Sequence, residues 1–384
     1  MKAPSAGDPS VWRTAGGDNA RRGWFPGAVR WHGRASKHCP ALGAVQASAI
    51  FDAAGTAFVA DMAGSVQAFA TKGRRRWQIR LQGGVSATPV LDPSDSMLFV
   101  ATHTGDVVAV EAATGVIRWR RAIPTRKDPR ILSDLLLLPR SNRIVLSSWG
   151  GRFFALDAAT GEPRHDWDAG ISPQSAAAAD LEENVYTVRA VSGRGTELVR
   201  VGVDGQEAVL HREPEDSRGA GRALVAAAPV VDANRGTLYW VVSRERAGQL
   251  LAWSLARGAL GWRRELAAPV QAALTLLTDG TVIVGDMAGH VHAFDPEGTR
   301  RFERALDCDY LLAGGVSAGA DGLPFVIGDP VGVVREVDVQ GSMKRLFEAT
   351  RSIQARPSVD PAGHLHVPCT DGWSYRVESS LTAG

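Results

Sequence analysis

Cysteine is scarce in this chain of 384 residues. Only Cys39, Cys308 and Cys369 occur, far apart and without a CxxC pair. That argues against a zinc module and a disulfide framework, leaving at most one bridge open. Charge of one sign is lacking as well. Lys and Arg number 43 against 41 Asp and Glu, a net +2, so no global field gathers nucleic acid or acidic lipid. No apolar run approaches the ~20 residues that cross a bilayer. Residues Met1 to Pro9 carry no secretory apolar stretch, and the residues before Cys39 do not form a lipoprotein anchor. The expectation is a cytoplasmic protein without a membrane span, or a periplasmic one had a leader been removed. Tyrosine is rare, with 4 copies against 11 Trp, and that ratio needs a cause.

What the chain does have is apolar residues at 45%, 42 glycines, and a repeat. Disorder is excluded by the first figure. Residues 55–77 (GTAFVADMAGSVQAFATKGRRRW), 96–119 (SMLFVATHTGDVVAVEAATGVIRW) and 280–302 (GTVIVGDMAGHVHAFDPEGTRRF) align as strand, Gly turn, alternating strand, second Gly turn and a terminal aromatic. The aromatic recurs roughly every forty residues, at Trp77, Trp119, Trp167, Trp262, Phe302 and Phe347, with a degraded copy ending near His211. Units fall at about 43–81, 83–122, 129–168, 171–211, 223–266, 268–306, 312–350 and 351–378. The last supplies three strands and no fourth.

Short four-stranded sheets cannot bury both faces alone, so neighbours must stack, and radial repetition leaves only short edges. The expected architecture is all-β: one domain over 1–384, an eight-bladed β-propeller of four-stranded antiparallel blades, with seven blades as the alternative. An N-terminal strand at 10–14 carrying Trp12 is expected to complete the last blade. Trp12, Trp77, Trp119, Trp167, Trp262, Phe302 and Phe347 are read as structural, each lying between blades.

Ala109–Trp119 (AVEAATGVIRW) and Ala155–Glu162 (ALDAATGE) followed by Trp167 resemble the tryptophan-docking repeat of the PQQ-like propellers. The opening WRTAGGDN at 12–19 is similar to the start of such proteins. One branch, the quinoprotein alcohol dehydrogenases, carries adjacent cysteines against the cofactor and a metal site. No two cysteines are adjacent here, so PQQ-dependent oxidation is disfavoured and no cofactor is expected. The other branch is the BamB-like single-domain scaffold, from which the missing signal and lipobox depart. The resemblance implies a non-catalytic, monomeric scaffold that binds a protein or peptide through its channel mouth and loops. The alternative is an enzyme acting on a small molecule at the central channel.

No catalytic motif stands out, and catalytic residues stay unassigned. The His290/His292 and His364/His366 pairs offer metal-ligand spacing, yet they occupy ordinary blade positions, so no metal is expected. Arginines at 74–76, 118–121, 263–264 and 300–304 flank outermost strands and are read chiefly as protection of exposed edges. Candidate partner-binding residues come from irregular insertions and from aromatics outside the repeat: Trp31, His32, Arg126, Lys127, Arg130, Trp149, Trp240 and Trp373.

Overall fold

The computed structural model describes residues 11–381, except 126, 171–175, 215–226, 309, 312, 319–324 and 339. The described residues form eight sheets arranged as the blades of a propeller, each with four antiparallel strands, and in blade 7 Trp24–Phe25 adds a fifth, parallel one at the inner edge. Blade 1 comprises Ile50–Phe51, Ala57–Ala60, Ser65–Phe69 and Arg75–Arg80, from axis to rim. Its two middle strands are wholly buried, while the outermost alternates between exposed and half-buried. That is the pattern of a sheet sandwiched by neighbours and wet only at the rim.

Core residues gather between blades. Five apolar clusters each join two neighbouring blades, from blades 2 and 3 round to blades 6 and 7. A sixth runs through blades 7, 8, 1 and 2. The ring is therefore held by its interfaces, as stacked repeats require.

The repeat's aromatic works at these interfaces. Trp77 Nε1 donates to the Ala112 carbonyl of blade 2 (2.8 Å), Trp119 to Ala158 of blade 3 (3.1 Å), and Trp262 to Pro296 of blade 6 (2.8 Å). Each indole lies on a turn glycine of that next blade. A Cβ at Gly115 would come within 2.9 Å of the Trp77 ring, and one at Gly161 within 2.7 Å of Trp119. Both glycines have positive φ (79° and 74°), so turn geometry and ring packing require the same residue. Phe302 holds the equivalent register in blade 6, paired with Ala293 and lying against Gly341 of blade 7, whereas Phe347 pairs with Val334, two residues beyond that register. In blade 3 that register belongs to His165, paired with Ala155 and lying against Gly205. Trp167 sits two residues further on, buried and stacked on Phe153 at 5.2 Å.

An N-terminal strand completes the last blade, as expected, but it is not the strand expected. Blade 8 contributes Ser358–Val359, Leu365–Cys369 and Trp373–Leu381, and its outermost strand is Val29–Pro40. Residues 11–14 are not that strand. Trp12 is buried, but its carbonyl accepts the Phe51 amide at the inner edge of blade 1 (2.8 Å). The physical reason lies in the strand that closes the ring: two bulges, between Trp31 and Ala35 and between Lys37 and Cys39, hide its alternation. All three cysteines are free.

Candidate functional site

Residues 11–25 form a strap around the axis. Carbonyls of Trp12, Arg13, Asn19, Ala20 and Arg22 accept the amides of Phe51, Leu91, Ala179, Val231 and Leu276, which lie on the innermost strands of blades 1, 2, 4, 5 and 6. Asn19 Nδ2 donates to Leu137 O of blade 3 (2.7 Å), and Trp24–Phe25 pairs in parallel with the innermost strand of blade 7. The contacts follow chain order round the ring. Arg21 pins the centre: its guanidinium donates to the carbonyls of Ala177, Ala15 and Leu135 at 3.0, 2.9 and 2.8 Å. Burial pushes its pKa below the usual guanidinium value. The strap floors one cavity on each side.

On the side of the first inter-strand turns the cavity is a depression of about 470 Å³. With the strands of each blade lettered A to D from axis to rim, the A–B turns of blades 2 to 6 ring it, and Leu181 stands 65% exposed at its margin. Its carboxylates are engaged. Asp18 holds Arg22 (2.5 Å), Asp180 accepts from Asn184 and Tyr186, Glu183 accepts the amides of Arg140 and Ser141, and Asp232 holds Arg235. On the opposite face, with the B–C turns, a smaller vestibule of about 190 Å³ opens on the axis.

The residues singled out from the sequence separate into three groups. Trp31 and Trp240 are buried, Trp31 donating to Gly363 O (3.1 Å), so neither presents a surface. Lys127, Arg130 and Trp149 come together at blade 3 on the B–C face, where Arg130 lies 5.4 Å over the Trp149 ring and is held by Asp128. Trp373, half-buried at the start of the blade 8 strand that follows the B–C turn, lies under Lys37 at 5.3 Å. His32 is exposed on the closing strand and contacts Ser380 (2.7 Å). Arg126 lies outside the described residues.

The paired histidines serve turns. His292 Nε2 lies 2.8 Å from Asp286, and His366 Nε2 lies 3.2 Å from Asp360. Burial opposes the charge on Asp286, but the His292 contact and the His290 and Ala288 amides outweigh it and hold its pKa below the ordinary value. Rim arginines are mostly paired: Arg120 with Asp106, Arg121 with Glu162, Arg263 with Glu213 and Arg301 with Asp279. The strap and its two cavities escaped sequence reasoning, because a segment bonded through its backbone carries no side-chain period. The one available cue was Trp12-Arg13 standing outside every repeat unit.

A family model described as outer membrane protein assembly factor BamB matches residues 26–193, 62–300 and 235–343. The chain belongs to this BamB-like family of PQQ-repeat propellers. Among solved structures, BamB from Moraxella catarrhalis superposes with a TM-score of 0.71 at 19% identity, over 91% of this chain and 99% of that one. The computationally designed Ika8 protein gives 0.68 at 15% identity, over 89% and 98%. At such identities these BamB-like and designed propellers attest the fold alone. No curated protein matches the sequence. No helix among the described residues is long and apolar enough to cross a membrane.

Proposed function

We propose that this BamB-like propeller is a protein-docking scaffold that holds an extended segment of a partner on its A–B face. The observation that carries the reading is the broad depression there, with its carboxylates already bound to neighbours. A site for acid–base chemistry needs a titratable group aimed at a substrate. These side chains instead brace the turns, and Val90, Leu137, Leu181, Val231 and Leu277 add apolar surface among charges of both signs, which suits a peptide segment. The family description, an assembly factor, fits a protein that works by holding another.

Photo-crosslinking tests this. A benzophenone amino acid at Leu181 or Ala233 of the A–B face should give an adduct with one and the same protein in cells. The same probe at Leu42, which is 53% exposed beside the opposite face, should not, and Leu181→Asp should weaken the Ala233 adduct. Adducts from Leu42 alone, or none from the A–B face, overturn the proposal.

A further inference from the structure

The joints after blades 1, 2, 5 and 6 seat a Trp or a Phe on a turn glycine of the following blade, whereas the joint after blade 3 seats His165. An indole or a phenyl ring takes no proton near neutral pH; an imidazole does. The His165 ring lies 3.1 Å from where a Cβ on Gly205 would stand, in the C–D turn of blade 4, and stacks on Trp167 at 5.6 Å. Beside it is Arg143, only 4% exposed. Arg143 Nη1 donates across the joint to the Val203 carbonyl of that same turn (3.0 Å) and meets His165 Nε2 at 3.4 Å. Its Nε donates to Ser141 Oγ (2.9 Å). A second brace crosses the joint there: the Glu183 carboxylate of blade 4 accepts the Arg140 and Ser141 amides of blade 3 at 2.7 and 2.9 Å. Ser141 thus ties the two braces together.

The charges around His165 decide what its proton would meet. Asp166 is held by Arg152 (2.7 Å), Arg164 by Asp157, and Asp204 accepts the Gln206 amide (3.1 Å). Glu183, Arg164 and Asp204 also act on Arg143. The charged group in contact with the imidazole is the Arg143 guanidinium itself. Burial first, then Arg143, hold the His165 pKa below the ordinary histidine value, against the pull of Asp166 and Asp204. His211, which meets Trp240 and Trp253 at the next joint, is placed differently. Its Nε2 lies 3.1 Å from Glu213, so there a proton meets a carboxylate.

We infer that the joint between blades 3 and 4 is an acid-released latch on the A–B face. Neutral His165 accepts from Arg143 and leaves that guanidinium holding the Val203 turn. Protonated His165 has no lone pair to offer and repels it, and the turn parts from blade 3. Leu181 stands two residues before Glu183, in the turn that the second brace secures, so the margin of the depression moves with the joint. That consequence rests on docking at the A–B face; the latch itself does not. With the joint open, His165 takes up its proton near pH ~6.5; with it closed, only at lower pH. Below ~6.5 the open joint binds more protons, so falling pH favours opening, by up to about tenfold per pH unit while the closed joint stays unprotonated.

Hydrogen exchange of the full chain at pH 7.5 and pH 5.0, corrected for the intrinsic rate, reads the latch. The Arg140 and Ser141 amides donate across this joint, and the Ala53 amide donates across the Trp77 joint to Asp95 (2.9 Å). Protection of Arg140 and Ser141 should fall at least about tenfold at pH 5.0 relative to Ala53. His165→Gln keeps an acceptor for Arg143 and takes no proton, so it should remove the fall. His165→Phe, the residue type that blade 6 uses in this register, decides should the first variant not fold. A benzophenone amino acid at Ala233, irradiated in cell lysate at the two pH values, reads the consequence: its adduct should be lost at pH 5.0 and persist there in His165→Gln. Equal protection at both pH values, or a fall that survives both substitutions, overturns the latch. An adduct that persists at pH 5.0 despite the fall overturns its coupling to the face. No adduct at either pH overturns docking, and the exchange result still decides the latch.

Discussion

A docking tryptophan contributes in two separable ways, and Trp119 shows both. Its ring covers Gly161 of the next blade, and its Nε1 donates to Ala158. Trp119→Phe keeps most of the ring and loses the hydrogen bond, so it should cost ~1 kcal/mol. Trp119→Ala also opens the interface between blades 2 and 3 and should cost ~3 kcal/mol. Denaturant titration of both variants checks the ratio; equal losses would mean that the ring contact carries little. The spacing of Trp77, Trp119 and Trp262 to a following turn glycine was readable in the sequence, because the repeat fixes both. The assignment of Trp167 was not. His165 and Trp167 lie two apart on one strand and share a face, and nothing local says which of them meets Gly205. Trp240 illustrates the same limit: it lies in a strand buried over six of its seven residues, among them a Leu-Tyr-Trp-Val-Val run, so an aromatic outside the repeat signature can still be core.

At the scale of elements, the closing strand is twice bulged and carries a histidine that resists protonation. Val29–Pro40 supplies the outer edge of blade 8 from the N-terminal side of the chain. On it, His38 stands 5.4 Å from His366. Burial first, then the neighbouring His366 and Arg376, push its pKa down to about 4 against the opposing pull of Asp360 and Glu378. An unfolded histidine takes up its proton near pH ~6.5, while the folded one resists until about pH 4. Falling pH across that window therefore favours the unfolded chain, and stability is lost progressively from about 6.5 downward. His38→Gln should flatten the fall in melting temperature between pH 7 and pH 5 relative to the unsubstituted chain. An unchanged slope would show that other groups set the acid limit. The repeat strands were legible because their alternation is clean; this one was not, because each bulge resets which face a residue points to. In sequence alone its residues therefore resemble an insertion, which leaves Trp12 as the apparent closing position.

At the scale of the whole molecule, the strap makes the propeller more than a stack of neighbours. In a ring of repeats each blade contacts only the next, yet residues 11–25 bond to the innermost strands of blades 1 to 7. Arg21 holds the middle of that path with a left-handed backbone (φ 63°), a strained conformation for a residue with a side chain, retained by its ring of carbonyl acceptors. Separate bonds to five blades would break with the stability of each blade. A strap pinned at one residue should instead leave as a unit. Native-state hydrogen exchange separates the cases, because the amides of Phe51, Leu91, Ala179, Val231 and Leu276 all donate to strap carbonyls. They should share one opening free energy, below that of mid-blade amides such as Val59. Arg21→Met, which removes the pin, should speed all five together by at least about tenfold and leave Val59 unchanged. Five unrelated rates, or acceleration of Ala179 alone, would mean that the strap is a series of local contacts and that the floor shared by the two cavities does not move as one piece.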